Sequence, residues 1–307
     1  MPLVSVIVPT FQRPDFLRAA LRSVQRQTVN DFELLVVDDG SAIALAPVVN
    51  ALDDGRIRYL RHESNRGEAA ARNTAIRNAR GQYLAFLDDD DEWLPEKLRL
   101  QLELFGRSPN TVGCVYGGFV AVRARDGHVL RHEIPTRRGD LSGELLLRNI
   151  VGAPSTVMVR RDCLDRVGLF DEGIAFGVDY DLWIRLAQRY RFDFVPEVIA
   201  RYTIHPGQLT NNPFIIVQGH HDLLRKYGSR LRRDRWRDGR FYFRVGRSMS
   251  LHGHVTEARR ALVKALRNDP LQLRAYVYLA LSLGGPACAA RCRGLLARIR
   301  GRDPADE

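Results

Sequence analysis

Cysteine is scarce in this chain: four residues in 307, at positions 114, 163, 288 and 292. They form no Cys-x-x-Cys pair and no tightly spaced set, which excludes a disulfide scaffold and makes a reduced cytosolic compartment the expectation. Cys288 and Cys292 have the spacing of one helical face, yet two thiols without a nearby histidine are a poor metal set. Long apolar runs are missing too. The longest uncharged stretch, Ala275 to Ala290, contains Gly284-Gly285-Pro286 and is too short and broken for a membrane span. No basic leader precedes Val4-Ser5-Val6-Ile7-Val8, so no secretory signal is read. A Gly-rich dinucleotide fingerprint is absent after this first apolar run, which argues against a nicotinamide cofactor, and there is no P-loop. These absences point to a cytoplasmic protein, peripheral at most to the cytoplasmic face of a membrane.

What is present describes a folded chain, 45% hydrophobic and 27% charged, long enough for one large domain or two unequal ones. Its net charge of +11 is uneven. Residues 1–220 hold 27 Lys/Arg against 28 Asp/Glu, and residues 221–307 hold 20 against 8, so the last segment carries +12. Such a segment suits an anionic membrane or an acidic protein partner. Nucleic acid is the weaker reading because no recognition motif accompanies the arginines, and a merely solvated basic face is an equal alternative.

The first ninety residues alternate between strand and helix patterns. Strands are expected at Leu3–Val8, Phe32–Val37, Ile57–Leu60 and Tyr83–Leu87. Helices are expected at Asp15–Gln27, Leu45–Leu52 and Glu68–Ala79. That order predicts an α/β fold with a mostly parallel sheet between helices. Ligands in such folds bind beyond the strand carboxyl ends. Pro9-Thr10, Asp38-Asp39-Gly40 and Asp88-Asp89-Asp90-Asp91 all fall there, so one crevice is predicted. Four adjacent carboxylates are prohibitive to bury, and even at a surface they repel one another unless something positive sits among them; a divalent cation is the simplest neutraliser. An acidic surface turn is the bland alternative.

Further on, helices are expected at Leu94–Phe105 and Asp181–Tyr190, strands at Val112–Arg123 and Ser155–Val159, and a polar loop over 124–150. Gly117-Gly118 allows a bulge or a close approach within the first of these strands. Asp179 sits at the start of the second helix, where a carboxylate suits either chemistry or a simple cap. In the tail, Val245-Gly246, Gly253, Ala258, Leu262, Ala265 and Pro270 have the spacing of a tetratricopeptide-like helix–turn–helix, with a second start near Tyr276. One repeat and part of another is too little for an independent solenoid, so the unit is expected to pack on the rest of the chain or on a protein partner.

Five motifs in order resemble the family-2 nucleotide-sugar glycosyltransferases, over about residues 3–210. They are Val4 through Phe11; Val36-Val37-Asp38-Asp39-Gly40-Ser41; Asn65-Arg66-Gly67 with Ala71-Arg72-Asn73; Tyr83 through Asp91; and Gly177-Val178-Asp179-Tyr180-Asp181-Leu182-Trp183. The resemblance implies a GT-A fold, with residues 1–215 as the catalytic domain and 216–307 as a basic helical region. It implies an inverting transfer from a nucleotide-diphospho sugar to a hydroxyl of a glycan or lipid-linked acceptor, in polysaccharide or cell-envelope assembly. It implies Mg²⁺ or Mn²⁺ held by Asp90 and Asp88, with Asp88 alternatively near the ribose.

Pro9, Thr10, Asp39, Arg72 and Asp89 are the other donor-binding candidates. Asp39 is similar to the residue that reads the base edge, while Arg72 either contacts phosphate or is a solvated helix arginine. Asp89 and Asp91 shape the turn. Asp179 resembles the general base, although the family's preceding Glu is replaced by Val178; Asp181 is a weaker rival. His205, in Tyr202-Thr203-Ile204-His205-Pro206-Gly207, resembles a histidine near the metal or diphosphate, with a structural role as the alternative. Trp93, Phe176 and Trp183 face either sugar or core. A nucleotidyltransferase or sugar-nucleotide hydrolase, and a noncatalytic helical scaffold, are the competing functional readings.

Overall fold

The structure is a computed structural model and describes residues 1–231, 235–251 and 253–283. Cys288, Cys292 and the end of the Ala275–Ala290 stretch lie outside the described residues. The described residues divide into two compact units: residues 1–145, 149–173 and 178–205 form one, and residues 146–148, 174–177 and those described from 206 to 283 form the other.

The first unit opens as expected. Strands β1 (Val4–Thr10), β2 (Phe32–Asp38), β3 (Ile57–Arg61) and β4 (Tyr83–Phe86) alternate with helices α1 (Pro14–Gln25), α2 (Ala46–Asn50) and α3 (Glu68–Asn78). All seven residues of β1 and all seven of β2 are buried, because helices cover both sheet faces; this is why these strands read as continuous apolar runs. The strands pair in parallel in the order β3-β2-β1-β4.

After β4 the sheet becomes mixed. β5 (Glu92–Trp93) precedes α4 (Lys97–Arg107), and β6 (Val112–Arg123) pairs with β7 (Val129–Glu133). Next come α5 (Ser142–Leu145), a 3-10 turn at Pro154–Thr156, β8 (Met158–Arg160), α6 (Arg161–Val167), α7 (Val178–Ala187) and β9 (Arg191–Ile204). The sheet order continues β4-β8-β6-β9-β5, with β4–β8, β8–β6 and β9–β5 antiparallel and β6–β9 parallel.

Three expectations change here. The helix predicted from Leu94 begins at Lys97, since the Leu94 amide donates to the Ile199 carbonyl and keeps that stretch extended against β9. The Ser155–Val159 strand is divided into the 3-10 turn and β8, and the 124–150 loop contains β7 and α5. Gly117 and Gly118 do mark irregular pairing with β9, where a Cβ on Gly117 would lie 2.3 Å from Ile199 Cδ1.

In the second unit, α8 (Pro213–Leu231) precedes α9 (Arg235–Leu251), α10 (Val255–Asn268) and α11 (Leu273–Leu283). α9 and α10 form the helix–turn–helix expected within 239–272. Gly239 and Gly246 let them approach closely: a Cβ on Gly246 would lie 2.7 Å from Leu262 Cγ. Tyr242, Phe243, Leu262, Ala265 and Ala275 make the core. α11 starts three residues before Tyr276. No helix among the described residues is long and apolar enough to cross a membrane.

Candidate active site

The crevice follows from the sheet's hydrogen-bond register. β1 pairs with β4 only from Val4 through Ile7, and a last bond runs from the Leu87 amide to the Ile7 carbonyl. By strand alternation Pro9, which has no N–H, faces the same β4 side, so no donor is stranded as the chains part. On the other side the Asp39 amide donates to the Thr10 carbonyl (2.9 Å), and the His62 amide to the Asp38 carbonyl (2.9 Å). Thr10, Asp39 and the acidic run are thereby gathered at the carboxyl ends of β1, β2 and β4. Strand order reverses between β1 and β4, the usual ligand position in open α/β sheets.

The structure corrects the expectation that burial of the acidic run is prohibitive: Asp89 is 6% exposed and Asp91 1%. Specific partners make that burial tolerable. Asp91 accepts from Ser155 Oγ (2.6 Å) and the Thr203 amide (3.0 Å). Asp89 accepts from Thr10 Oγ1 (2.7 Å) and Arg13 Nη1 (3.2 Å). Asp90 Oδ2 lies 2.8 Å from Arg13 Nη1 and 2.9 Å from His205 Nε2. Asp88 Oδ1 accepts from Arg72 Nη2 (2.6 Å), and its own amide donates to Ser155 Oγ. Neutralisation is incomplete. Burial and neighbouring carboxylates push Asp88 and Asp89 up to about 6, against the pull of Arg72 and Arg13, and Asp91 well above the ordinary range.

Arg72 is not a solvated helix arginine. It is 2% exposed, 3.5 Å from Glu68, and stacked over Phe170 with its guanidinium carbon 5.3 Å from the ring centre. Its Nε and Nη1 are buried without a hydrogen-bond partner. Two unanswered cationic donors next to Asp88 are expensive in a closed interior and well suited to an anionic ligand.

Asp179 lies in the first turn of α7, half-buried, with Asn149 Nδ2 3.4 Å from its Oδ2. Burial pushes it up to about 6; Arg72 opposes the rise, while Glu68 and Asp88 add to it. Asp179 therefore shares an electrostatic neighbourhood with the Arg72–Asp88 pair. Asp181, by contrast, is fully buried and accepts from Arg185 Nε (2.8 Å), whose other nitrogens donate to the Val167, Gly168 and Leu169 carbonyls. It clamps the end of α6 onto α7.

Asp39 is almost enclosed. His62 Nδ1 lies 2.7 Å from Oδ1, the Arg66 amide donates to Oδ1 (2.9 Å), and the Gly67 amide donates to Oδ2 (2.7 Å). The carboxylate thus ties the Asn65-Arg66-Gly67 turn to β2. Trp93 and Trp183 are core residues, and Trp93 Nε1 donates to the Ser155 carbonyl (2.8 Å). Phe176 belongs to the second unit and is half-buried.

Among the described residues no three His, Cys, Asp or Glu side chains converge as a metal cage. Asp88 is turned onto Arg72, leaving Asp90 and His205 as the converging pair. Their 2.9 Å separation matches the edge of an octahedron with ligands about 2.1 Å from its centre. One carboxylate and one imidazole, completed by diphosphate oxygens and water, fit Mg²⁺ or Mn²⁺ better than a closed zinc site.

Arg13, His62, Glu68, Asn149 and Ser155 were not among the expected site residues. Arg13 stands three positions after Thr10 at the start of α1, and Glu68 four positions before Arg72 on α3, spacings that offered a signal; His62, Asn149 and Ser155 are assembled by long-range packing.

Comparison with known proteins agrees with this architecture. The profile described as Glycosyl transferase family 2 matches residues 5–168, just over half the chain. The chain is 29% identical over 224 residues to the Escherichia coli UDP-Glc:alpha-D-GlcNAc-diphosphoundecaprenol beta-1,3-glucosyltransferase WfgD, spanning 72% of this chain and 85% of that protein. Among solved structures, S. aureus TarS 1-349 in complex with UDP-GlcNAc superposes with a TM-score of 0.64 at 16% identity, covering 98% of this chain and 93% of that one. The mannosyltransferase PcManGT from Pyrobaculum calidifontis, in complex with GDP-Man and Mn2+, superposes with a TM-score of 0.59 at 19% identity, covering 94% and 86%. The fold is GT-A, and the chain belongs to glycosyl transferase family 2.

Proposed function

We propose that this glycosyltransferase moves a sugar, with inversion, from a nucleotide-diphospho sugar to a hydroxyl of a lipid-linked saccharide, using Mg²⁺ or Mn²⁺. The observation that carries the reading is Arg72: buried, paired to Asp88, and holding two unpartnered nitrogens next to the acidic run and Asp179. A diphosphate is the ligand class such donors suit.

Asp179 removes the proton from the acceptor hydroxyl as its oxygen bonds to the anomeric carbon. The bond from that carbon to the diphosphate breaks, and the nucleoside diphosphate leaves with the electron pair. Because one displacement does both, configuration inverts. Arg72 and Thr10 line the donor side, and Asp39, which also ties down the Asn65-Arg66-Gly67 turn, is the carboxylate at the base edge. Asp90 and His205, with Asp88 and Asp89 beside them, would hold the cation, which would supply Lewis-acid neutralisation of charge on the leaving group. WfgD's named acceptor, a diphosphoundecaprenol-linked GlcNAc, supports the lipid-linked class. Complexes of TarS with UDP-GlcNAc and of PcManGT with GDP-Man and Mn2+ support the donor and cation classes.

Residues 1–215 are assigned as catalytic domain, and 216–307 as a basic helical region making peripheral contact with anionic membrane or a protein partner. On α10, Arg260, Val263, Lys264 and Arg267 share one face with the spacing of successive helical turns. They help line a concavity of about 600 Å³ in the second unit. Flotation with anionic vesicles tests this: binding at low salt that disappears in a triple Ala variant of Arg260, Lys264 and Arg267 supports it, and salt-independent absence of binding refutes it.

Donor use is tested by nucleoside-diphosphate release across a panel of nucleotide sugars with Mn²⁺ and a polyprenyl-diphosphate-linked acceptor. Acceptor-stimulated release of nucleoside diphosphate is expected. Pyrophosphate release would mark a nucleotidyltransferase, and release indifferent to acceptor a hydrolase.

A further inference from the structure

Arg13 places a tethered cation on the carboxylate proposed to hold the metal. Its Nη1 sits 2.8 Å from Asp90 Oδ2 and 3.2 Å from Asp89 Oδ1, while His205 Nε2 lies 2.9 Å from the same Asp90 oxygen. The oxygen best placed for a divalent ion is therefore engaged by a guanidinium. Asp88, which would otherwise enlarge the ligand set, is held 2.6 Å from Arg72.

We propose that Arg13 is a positioning residue that keeps the free enzyme's Asp90–His205 pair closed to metal alone, so that the cation enters only with the nucleotide diphosphate. This rests on the metal reading above. A divalent ion arriving unaccompanied must displace Arg13 and lie within a few ångströms of its positive charge. It gains only one carboxylate and one imidazole in return. An ion arriving on a diphosphate brings compensating negative charge and its own oxygen ligands, so displacement of Arg13 costs less. The Arg13 side chain is 27% exposed, which leaves it an outlet towards solvent when it is displaced.

The arrangement also protects the fold. Asp89 and Asp90 are 7% and 11% exposed at their side chains, and without an internal cation these adjacent carboxylates would repel each other whenever donor is absent. A lysine at position 13 keeps the charge, whereas methionine keeps length and packing without it.

The test is Mn²⁺ binding to the full chain, followed by the electron paramagnetic resonance signal of free Mn²⁺, without nucleotide and then with UDP or GDP. Thermal melts confirm that each variant is folded. Wild type and Arg13→Lys are expected to bind Mn²⁺ alone weakly and to bind it more tightly once a diphosphate is present. Arg13→Met is expected to bind Mn²⁺ alone roughly tenfold more tightly or better, narrowing the nucleotide-dependent difference. A folded Arg13→Met that binds Mn²⁺ alone no more tightly than wild type overturns the role of Arg13. So does wild type binding Mn²⁺ equally well with and without nucleotide. Asp90→Ala separates the two levels of the account: if it binds Mn²⁺ with diphosphate as well as wild type does, the metal reading itself fails.

Discussion

Burial raises the Asp179 carboxyl to about 6, so it is charged just above that pH and neutral below it. A general base acts only when deprotonated, and the sign follows: kcat/KM for the donor, which reports the free enzyme, should fall as pH drops through about 6 and level off above it. A pH profile of kcat/KM checks this; a value unchanged down to pH 4.5 contradicts it. Arg72 makes a different prediction, because its unpartnered nitrogens suit an anionic ligand rather than the reacting hydroxyl. Arg72→Met should raise the donor's KM or Kd by about tenfold or more, measurable by calorimetry, with a smaller effect on acceptor binding. Several of these residues were legible in sequence as types at strand ends, but their partners were not. Nothing local to Arg72 distinguishes a solvated helix arginine from one sealed under Phe170. Asp181 reads like Asp179 until its clamp on Arg185 is seen.

Most of the elements that carry the site have local signatures. β1, β2 and β4 announce themselves as apolar runs because both of their faces are covered, and each ends in a polar cluster that the parallel register draws together. β9 has no such signature: it contains Pro196, mixes charged and apolar residues, and pairs with strands remote in sequence. The Thr203 amide that answers Asp91 was hidden with it, whereas His205, directly after its end, was read from the motif around it. Turn chemistry was better marked. Gly40 follows Asp39 with φ of +76°, and a Cβ there would lie 2.5 Å from the Ser64 backbone carbon. Gly40→Ala should therefore destabilise the fold by about 1–3 kcal/mol in urea denaturation and loosen the turn that Asp39 holds. An unchanged midpoint contradicts that account.

For the whole molecule, the acidic crevice is a cost that ligand binding offsets. Asp88, Asp89 and Asp179 are raised to about 6, and Asp91 is raised further. The folded chain therefore keeps protons between pH 4 and 6 that the unfolded chain releases, and stability falls as pH rises through that window. Carboxylates shifted the other way, such as Asp54 at about 2, act below it. Metal-free protein should melt higher at pH 5 than at pH 7.5, and Mn²⁺ with a nucleoside diphosphate should recover the loss at pH 7.5. A melting temperature that rises over that interval without ligands contradicts the electrostatic picture. The central claim, a single displacement driven by Asp179, meets its most direct test in the product. With a donor and acceptor found to react, NMR of the new linkage should show anomeric configuration opposite to the donor's. Under the same conditions Asp179→Asn should lose about 10² to 10⁴ in kcat while binding donor normally. Retained configuration, or an Asp179→Asn variant as fast as wild type, would contradict it.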